Sequence, residues 1–173
     1  ASIATYAGEH PEFAWPVLAD GPAMIEADDL GHPLLPGATR VANAVSLPEP
    51  GRALLVTGSN MSGKSTYLRA IGLCAVMACA GLPVCAKKAR LSPLATWTSM
   101  RISDALDQGW SHFYAELVRL KAIVSAAQKG SLPVLFVLDE ILHGTNSKER
   151  TIGARGVVLD LVRRGAIGAV WTH

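Results

Sequence analysis

Two glycines, one lysine and several small polar residues follow a short apolar run, in the order Gly58-Ser-Asn-Met-Ser-Gly63-Lys64-Ser65. The spacing fits G-x-x-x-x-G-K-[ST], in which glycines let successive backbone N–H groups point at phosphate oxygens. In such a loop Lys64 reaches the β- and γ-phosphates of a nucleotide, and the Ser65 hydroxyl holds Mg²⁺. We therefore predict a nucleotide site whose phosphate-binding residues are Gly58, Ser59, Asn60, Met61, Ser62, Gly63, Lys64, Ser65 and Thr66.

A second group of reactive side chains ends the apolar run VLFVLDE, residues 134–140. A site that hydrolyses a Mg²⁺-bound nucleotide needs a carboxylate for the metal and a group that activates water. We predict that Asp139 binds Mg²⁺ through water and that Glu140 is the general base. Because P-loop kinases need no glutamate at this place, the pair favours a hydrolase over a phosphotransferase.

The elements that must position these residues begin with two apolar runs of strand length. ALLV, residues 53–56, leads into the loop, and residues 132–138 lead into the two carboxylates. A continuous apolar run is typical of a central parallel strand that is covered on both faces. Between these two runs, the loop opens a predicted helix from Lys64 to about Ala80, so the phosphates would also lie at a helix N-terminus.

Further elements continue the alternation of strands and helices. Residues 111–128 predict a helix because apolar residues recur on one face, at Phe113, Leu117, Leu120 and Val124. Residues 149–164 predict another helix, which Gly165 ends. Residues 91–103 and 166–173 are β-prone. This alternation predicts an α/β domain with a mostly parallel central sheet flanked by helices.

The N-terminal part of the chain lacks this regularity. Residues 1–30 are rich in Pro, Gly, Ala and acidic residues, and we expect an irregular lead-in from an upstream region. After turn chemistry at residues 31–37, two strand-like runs are separated by Pro48, Pro50 and Gly51. They predict an antiparallel β hairpin near the N-terminus.

Composition limits the class of protein. The chain has 173 residues, half of them hydrophobic and 17% charged, which suits one globular domain with a full core. The formal charge of +2 does not require nucleic acid as a direct partner. The spacing of Cys74, Cys79 and Cys85 matches no zinc or redox motif. An odd count suits a reducing compartment, so we expect three small buried residues in a cytoplasmic protein.

One uncharged segment approaches the length of a membrane span. It is AIGLCAVMACAGLPVCA, residues 70–86. Gly81 and Pro83 interrupt it, and it follows the lysine of the loop almost immediately. A helix buried against a sheet explains it better than a span, so we expect no membrane partner.

Three motifs in order resemble one family. TGSNMSGKSTYLR (57–69), LDEILHGTN (138–146) and a strand ending in TH look like the ATPase domain of the MutS family of DNA mismatch-repair proteins, which are ABC-type P-loop ATPases. SHFYAEL (111–117) matches the family's S-T-F-M-x-E-[LM], and AGLPVCA (80–86) matches its I-G-x-[FY]-V-P-A. The resemblance runs from about His32 to His173.

The resemblance implies a dimer of this domain that holds ATP or ADP and Mg²⁺ between two subunits. Ser111 would reach the γ-phosphate of the other subunit, Asn146 would carry signals across the interface, and His173 would sense the γ-phosphate during catalysis. On the residues alone, Ser111 is equally well a helix N-cap and His173 a strand-end residue.

Departures from the family pattern indicate a divergent branch. The family's F-V-P-N-D, whose aromatic stacks on adenine, is here Arg40-Val-Ala-Asn-Ala44. Val41 and Asn43 remain as implied adenine contacts, and a guanidinium can also stack on a base. The loop LHGTNSKER, residues 142–150, replaces the usual GRGTSTYDG.

The resemblance assigns residues 31–173 to a MutS-like ATPase domain, which we expect to be cut at its C-terminus. Nothing in the chain resembles a mismatch-reading domain, so DNA is expected as a partner through regions absent from this chain. The leading interpretation is an ATP-hydrolysing nucleotide switch in a MutS-related DNA-repair protein, weak as a fragment. The alternative is a nucleotide-gated interaction module with little turnover. An SMC- or transporter-type ATPase fits less well because no LSGGQ segment precedes the Asp-Glu strand.

Overall fold

A computed structural model describes residues 3–59, 62–100, 112–142 and 146–171. Helices and strands alternate through most of the chain, as the sequence predicts. In chain order they are α1 (Ile3–Glu9), β1 (Val17–Leu18), β2 (Ile25–Leu30), β3 (Asn43–Leu47), β4 (Ala53–Leu55), α2 (Lys64–Cys79), β5 (Lys88–Leu91), β6 (Ala95–Ser99), α3 (His112–Lys129), β7 (Val134–Asp139), α4 (Ser147–Arg163) and β8 (Ile167–Trp171).

Four parallel strands form one sheet, in the order β4-β8-β7-β6. Every residue of β7 is buried, which confirms the prediction of a central strand covered on both faces. Because parallel strands end at the same edge, β4, β7 and β8 bring the segments that follow them together. The α/β class and the mostly parallel sheet are therefore confirmed.

Alternate residues of β7 face two separate hydrophobic cores. Leu135 and Val137 belong to a core that α2 shares with the second sheet. Phe136 and Leu138 belong to a core on the opposite face, which α3 and α4 cover. The layers are thus the second sheet, α2, the parallel sheet and the α3–α4 pair.

The second sheet has the order β1-β5-β2-β3, with β2 antiparallel to both neighbours. An antiparallel region near the N-terminus is confirmed, but the predicted hairpin is wrong in its strands. β3 pairs with β2, whereas β4 pairs with β8 in the parallel sheet. Pro48 and Pro50 lack the N–H that ladder pairing needs, and Gly51 turns with φ 71°, so this segment carries the chain from one sheet to the other.

The predicted irregular lead-in over residues 1–30 is also wrong for about half of its length. α1, β1 and β2 lie there, and β2 occupies an inner position of its sheet. Ile25 and Leu30 are almost fully buried in the first core. The acidic residues of the strand IEADDL and a register shift between Ala27 and Leu30 interrupt the alternation that would have predicted it.

The helices agree with prediction to within two residues at each described end. Gly165, which follows α4, has φ 78° and its N–H donates to Val162 O at 3.0 Å, so it ends the helix as predicted. The apolar face predicted for α3 is only partly buried. Leu120 is buried, whereas Leu117 remains 40% exposed. The β-prone segment 91–103 contains β6, and its residues 101–103 lie outside the described ranges.

The cysteines only partly follow the prediction of three buried residues. Cys74 and Cys85 are buried, but Cys79, the last residue of α2, is exposed. All three thiols are free. Among the residues that the structure describes, no helix combines the length and the apolar character needed to cross a bilayer.

Candidate functional site

The glycine-rich loop follows β4 at the carboxyl edge of the parallel sheet. Gly58 has φ 147° and Gly63 has φ 84°, conformations that residues with a Cβ rarely adopt. A Cβ on Gly58 would also lie 3.2 Å from the Ser62 hydroxyl. The spacing of the two glycines therefore reflects a backbone requirement at both positions. Asn60 and Met61, also predicted in this loop, lie outside the described residues.

Lys64 is the centre of the loop. Its side chain is buried, and Nζ donates to Gly58 O at 2.8 Å and to Ser59 O at 2.5 Å. Nζ also lies 4.4 Å from the centroid of the Trp171 ring. Two neutral carbonyls and a ring face are weaker partners for an ammonium group than a phosphate is. The lysine is therefore held inside the loop by contacts that an anionic ligand could replace.

The N-terminus of α2 faces the same loop. Gly63 is the N-cap and supplies no side-chain hydrogen bond, and the first turn reads Lys-Ser-Thr-Tyr without an acidic residue. The first N–H groups of a helix and its dipole favour an anion at this end. Ser65 and Thr66 lie in this turn and are half-buried. Both residues thus lie at the helix end next to the loop, and their phosphate and Mg²⁺ contacts stay predictions.

Asp139 ends β7 with only 5% of its surface exposed. Its Oδ1 atom is buried and accepts no hydrogen bond from any described residue. A buried carboxylate oxygen without a donor is costly unless a cation or water compensates it. In the described part of the chain no group of three or more His, Cys, Asp or Glu side chains could hold a metal ion. Asp139 fits Mg²⁺, which is usually bound through one or two carboxylates, waters and substrate phosphates.

Glu140 follows directly and is 7% exposed. Its backbone is left-handed, with φ 55°, and its N–H donates to Trp171 O at 2.9 Å. Left-handed backbone in a residue with a Cβ is typical of positions where a fixed side-chain direction matters. Glu140 is therefore turned out of the strand and anchored to β8.

Leu142, two residues further on, is also left-handed, with φ 64°. Its N–H donates to Glu116 Oε1 of α3 at 2.7 Å. A Cβ on Gly153 of α4 would lie only 2.7 Å from Leu142 Cδ1, so the glycine makes room for this side chain. The segment after Glu140 is thus fixed by contacts with α3 and α4.

The segment predicted to contact adenine lies near the start of α2. Val41 is 77% exposed, and Asn43 begins β3. The Tyr67 hydroxyl of α2 donates to Ala44 O at 2.6 Å, which ties the segment to the helix after the loop. Burial raises the pKa of Tyr67, so the hydroxyl remains a donor at neutral pH.

Arg40, which replaces the family's aromatic residue, is committed elsewhere. Its Nη2 and Nε donate to Leu35 O at 2.7 and 3.1 Å, and its guanidinium lies 5.2 Å from the centroid of the Phe13 ring. The side chain would have to leave these contacts before it could stack on a base.

The remaining predicted residues are only partly described. Asn146 is the N-cap of α4, and its Oδ1 accepts from Glu149 N–H at 3.0 Å. Ser111 and His173 lie outside the described residues.

Two residues of the site, Glu116 and Trp171, were not predicted. Glu116 lies within the SHFYAEL motif, but the motif did not indicate a role for this glutamate. The only sequence feature that indicated Trp171 was its position directly before Thr172 and His173.

A glycine-rich loop between a parallel strand and a helix, with paired carboxylates at the end of the next strand but one in the same sheet, defines a P-loop nucleotide-binding domain. A family model for MutS domain V matches residues 54–173. The chain therefore belongs to the MutS domain V family, whose domain is an ATPase domain.

Individual relatives agree with this assignment. The chain is 36% identical over 143 residues to "Endonuclease MutS2" of Thermus thermophilus, covering 82% of this chain and 18% of that protein. It is 36% identical over 155 residues to "Endonuclease MutS2" of Anaeromyxobacter sp., covering 87% of this chain and 19% of that protein. It is 36% identical over 148 residues to "DNA mismatch repair protein MutS" of Brevibacillus brevis, covering 79% and 17% respectively. The chain thus spans about a fifth of the length of these curated relatives.

Proposed function

We propose that the chain binds ATP with Mg²⁺ at the loop of residues 58–66 and hydrolyses it, as the nucleotide switch of a longer MutS-related DNA-repair protein. The observation that carries the proposal is the common edge of the sheet, which the loop that holds Lys64 and the Asp139–Glu140 pair both follow. Trp171 touches both halves, since its ring lies against Lys64 and its carbonyl accepts from Glu140 N–H.

Binding starts at the loop. The Lys64 ammonium leaves Gly58 O and Ser59 O for the β- and γ-phosphates, while the N–H groups at the start of α2 donate hydrogen bonds to the remaining phosphate oxygens. Ser65 and Asp139 are the residues that would hold a Mg²⁺ ion, and the ion would supply positive charge next to the phosphates. Val41 and Asn43 are the proposed contacts to the base.

Hydrolysis requires a water molecule next to the γ-phosphorus. As the water oxygen forms a bond to phosphorus, the Glu140 carboxylate takes a proton from the water. The bond from phosphorus to the bridging oxygen of ADP breaks in this step. The hydrogen bond from Glu140 N–H to Trp171 O fixes the backbone from which the carboxylate reaches this water. His173, two residues after Trp171, is proposed to sense the γ-phosphate.

The proposal includes a second copy of this domain. Ser111 is assigned to the γ-phosphate of the opposite subunit and Asn146 to the interface, so turnover by the isolated chain should rise with its concentration. Proteins of equal identity to this chain are named for two activities, "Endonuclease MutS2" and "DNA mismatch repair protein MutS". The proposal therefore covers the ATPase cycle and DNA contact through other regions, and names no DNA substrate.

Titration calorimetry with ATP and Mg²⁺ tests the binding step. Lys64→Ala should abolish binding, because charge-assisted contacts to phosphate are lost. Lys88→Ala, which removes an exposed lysine in the second sheet, is the matched control and should bind as the wild type does. Equal affinities for the wild type and Lys64→Ala would refute the proposed site.

Phosphate release tests the chemical step. Glu140→Gln should retain binding and lose turnover by about 10²- to 10⁴-fold, the usual contribution of a general base. Unchanged turnover in this variant would move the base to another residue.

A further inference from the structure

The connection between β7 and α4 begins with an unusual backbone. Glu140 and Leu142 are both left-handed, with φ 55° and 64°, and Ile141 between them is fully buried. Left-handed backbone is unfavourable for residues that carry a Cβ. External contacts must therefore hold this segment in place.

Two hydrogen bonds from neighbouring elements fix its ends. On the β8 side, Glu140 N–H donates to Trp171 O at 2.9 Å. On the α3 side, Leu142 N–H donates to Glu116 Oε1 at 2.7 Å. The first bond continues the pairing of β7 with β8, whereas the second depends on a single side chain. The hydrogen bond to Glu116 is thus the one of the two that a single substitution can remove.

A charged acceptor is well suited to this task. A hydrogen bond from a backbone N–H to a carboxylate is stronger than one to a neutral oxygen, and Glu116 is only partly buried, so its charge remains solvated. Without the acceptor, the N–H of Leu142, a residue 6% exposed, would lose its partner, and rotation of the segment would relieve both this loss and the strain at Glu140.

We propose that Glu116 is a positioning residue for the general base. It holds the segment after Glu140 so that the Glu140 carboxylate stays aimed at the attacking water, and it makes α3 a support of the catalytic geometry. The inference rests on the proposed role of Glu140. Glu116 acts through Leu142 and touches neither nucleotide nor metal, so its loss should affect turnover and spare binding.

Three substitutions of one residue separate geometry from charge. Glu116→Ala removes the acceptor, Glu116→Gln keeps an acceptor oxygen at the same reach, and Glu116→Asp keeps the charge but shortens the side chain. Lys121→Ala, at an exposed position on the same helix, is the control. Steady-state phosphate release gives kcat and KM, calorimetry gives the ADP affinity, and thermal unfolding reports on the fold.

We expect kcat to fall about 10- to 10²-fold in Glu116→Ala and Glu116→Asp, since a misplacement of about 1 Å in a catalytic group costs up to ~10²-fold. KM and ADP affinity should stay within about twofold of the wild type, and Glu116→Gln and Lys121→Ala should retain kcat. If Glu116→Ala does not fold, the comparison of Asp with Gln decides the question.

The outcomes separate the inference from the proposed function. A wild-type chain without ATP binding or turnover would refute the proposed function itself. An active wild type with unchanged kcat in Glu116→Ala and Glu116→Asp would overturn the positioning role. So would a loss of ADP affinity parallel to the loss of kcat, because Glu116 would then support the fold of the whole site.

Discussion

Gly168 in β8 lies closer to its neighbours than any side chain would allow. A Cβ at this position would be 2.3 Å from Phe136 O, 2.4 Å from Phe136 Cδ2 and 2.5 Å from Phe136 Cγ. Phe136 is the register partner of Gly168 in β7, so one of the clashing atoms is the backbone of the central strand. Gly168→Ala therefore forces β7 and β8 apart at a position where Phe136 and Gly168 are both buried.

The expected cost follows from this geometry. Inserting a methyl group into a packed core costs typically ~1–3 kcal/mol, and a clash with backbone belongs at the upper end because no rotamer change relieves it. A loss of about 3 kcal/mol should lower the Tm of a chain of this size by roughly 6–12 °C. Gly156 provides the matched control, since a Cβ there would meet no described atom within 4 Å. Gly156 lies exposed within α4, so Gly156→Ala should stabilise the helix by about 1 kcal/mol and raise Tm by about 2–4 °C.

Thermal unfolding followed by far-UV circular dichroism measures both variants against the wild type, and denaturant unfolding gives the free energies. Each variant adds one methyl group to a glycine, so the comparison isolates the environment of that group. Opposite signs are expected. A Tm for Gly168→Ala within about 1 °C of the wild type, or equal shifts for both variants, would refute the close packing of Gly168 against Phe136.

Two further predictions concern single side chains. Burial raises the pKa of the Cys74 thiol to about 12, so its thiolate fraction at pH 8 is ~10⁻⁴. A maleimide should therefore label only the exposed Cys79 in the native protein. Labelling that persists in Cys79→Ser would contradict this. Because the Lys64 ammonium lies over the Trp171 ring, adding ATP with Mg²⁺ should change tryptophan fluorescence, and Trp171→Phe should remove that change. An equal change in Trp171→Phe would show that the signal comes from another tryptophan.

The sequence predicted the parts of the site that are local in the chain. The loop around Lys64 depends on glycines five residues apart and on the helix that starts directly after them. Its conformation is therefore predictable from the local sequence. The strand before Asp139 is continuous and apolar because both of its faces are buried. Family membership followed from the same motifs and is confirmed.

The parts that were missed depend on pairing between distant segments. The sequences of β3 and β4 resemble one hairpin because a short turn-like segment joins them, yet the two strands belong to different sheets. The contact of Glu116 with Leu142 joins residues 26 positions apart, and a conventional glutamate on a helix gives no sign of it. Similarly, the contact of Trp171 with Lys64 arises only from the order of strands in the sheet.

That strand order also determines how far each substitution should act. β8 lies between β4, which leads into the loop, and β7, which ends in Asp139. A change within β8, such as Gly168→Ala, displaces the strand that supports both halves of the site and should weaken nucleotide binding and turnover together. Glu116 accepts its hydrogen bond from the segment after Glu140, on the α3 side of the sheet. Replacement of Glu116 should therefore lower turnover and leave nucleotide binding unchanged. If Gly168→Ala and Glu116→Ala changed binding and turnover in the same way, β8 and α3 would not have these separate roles.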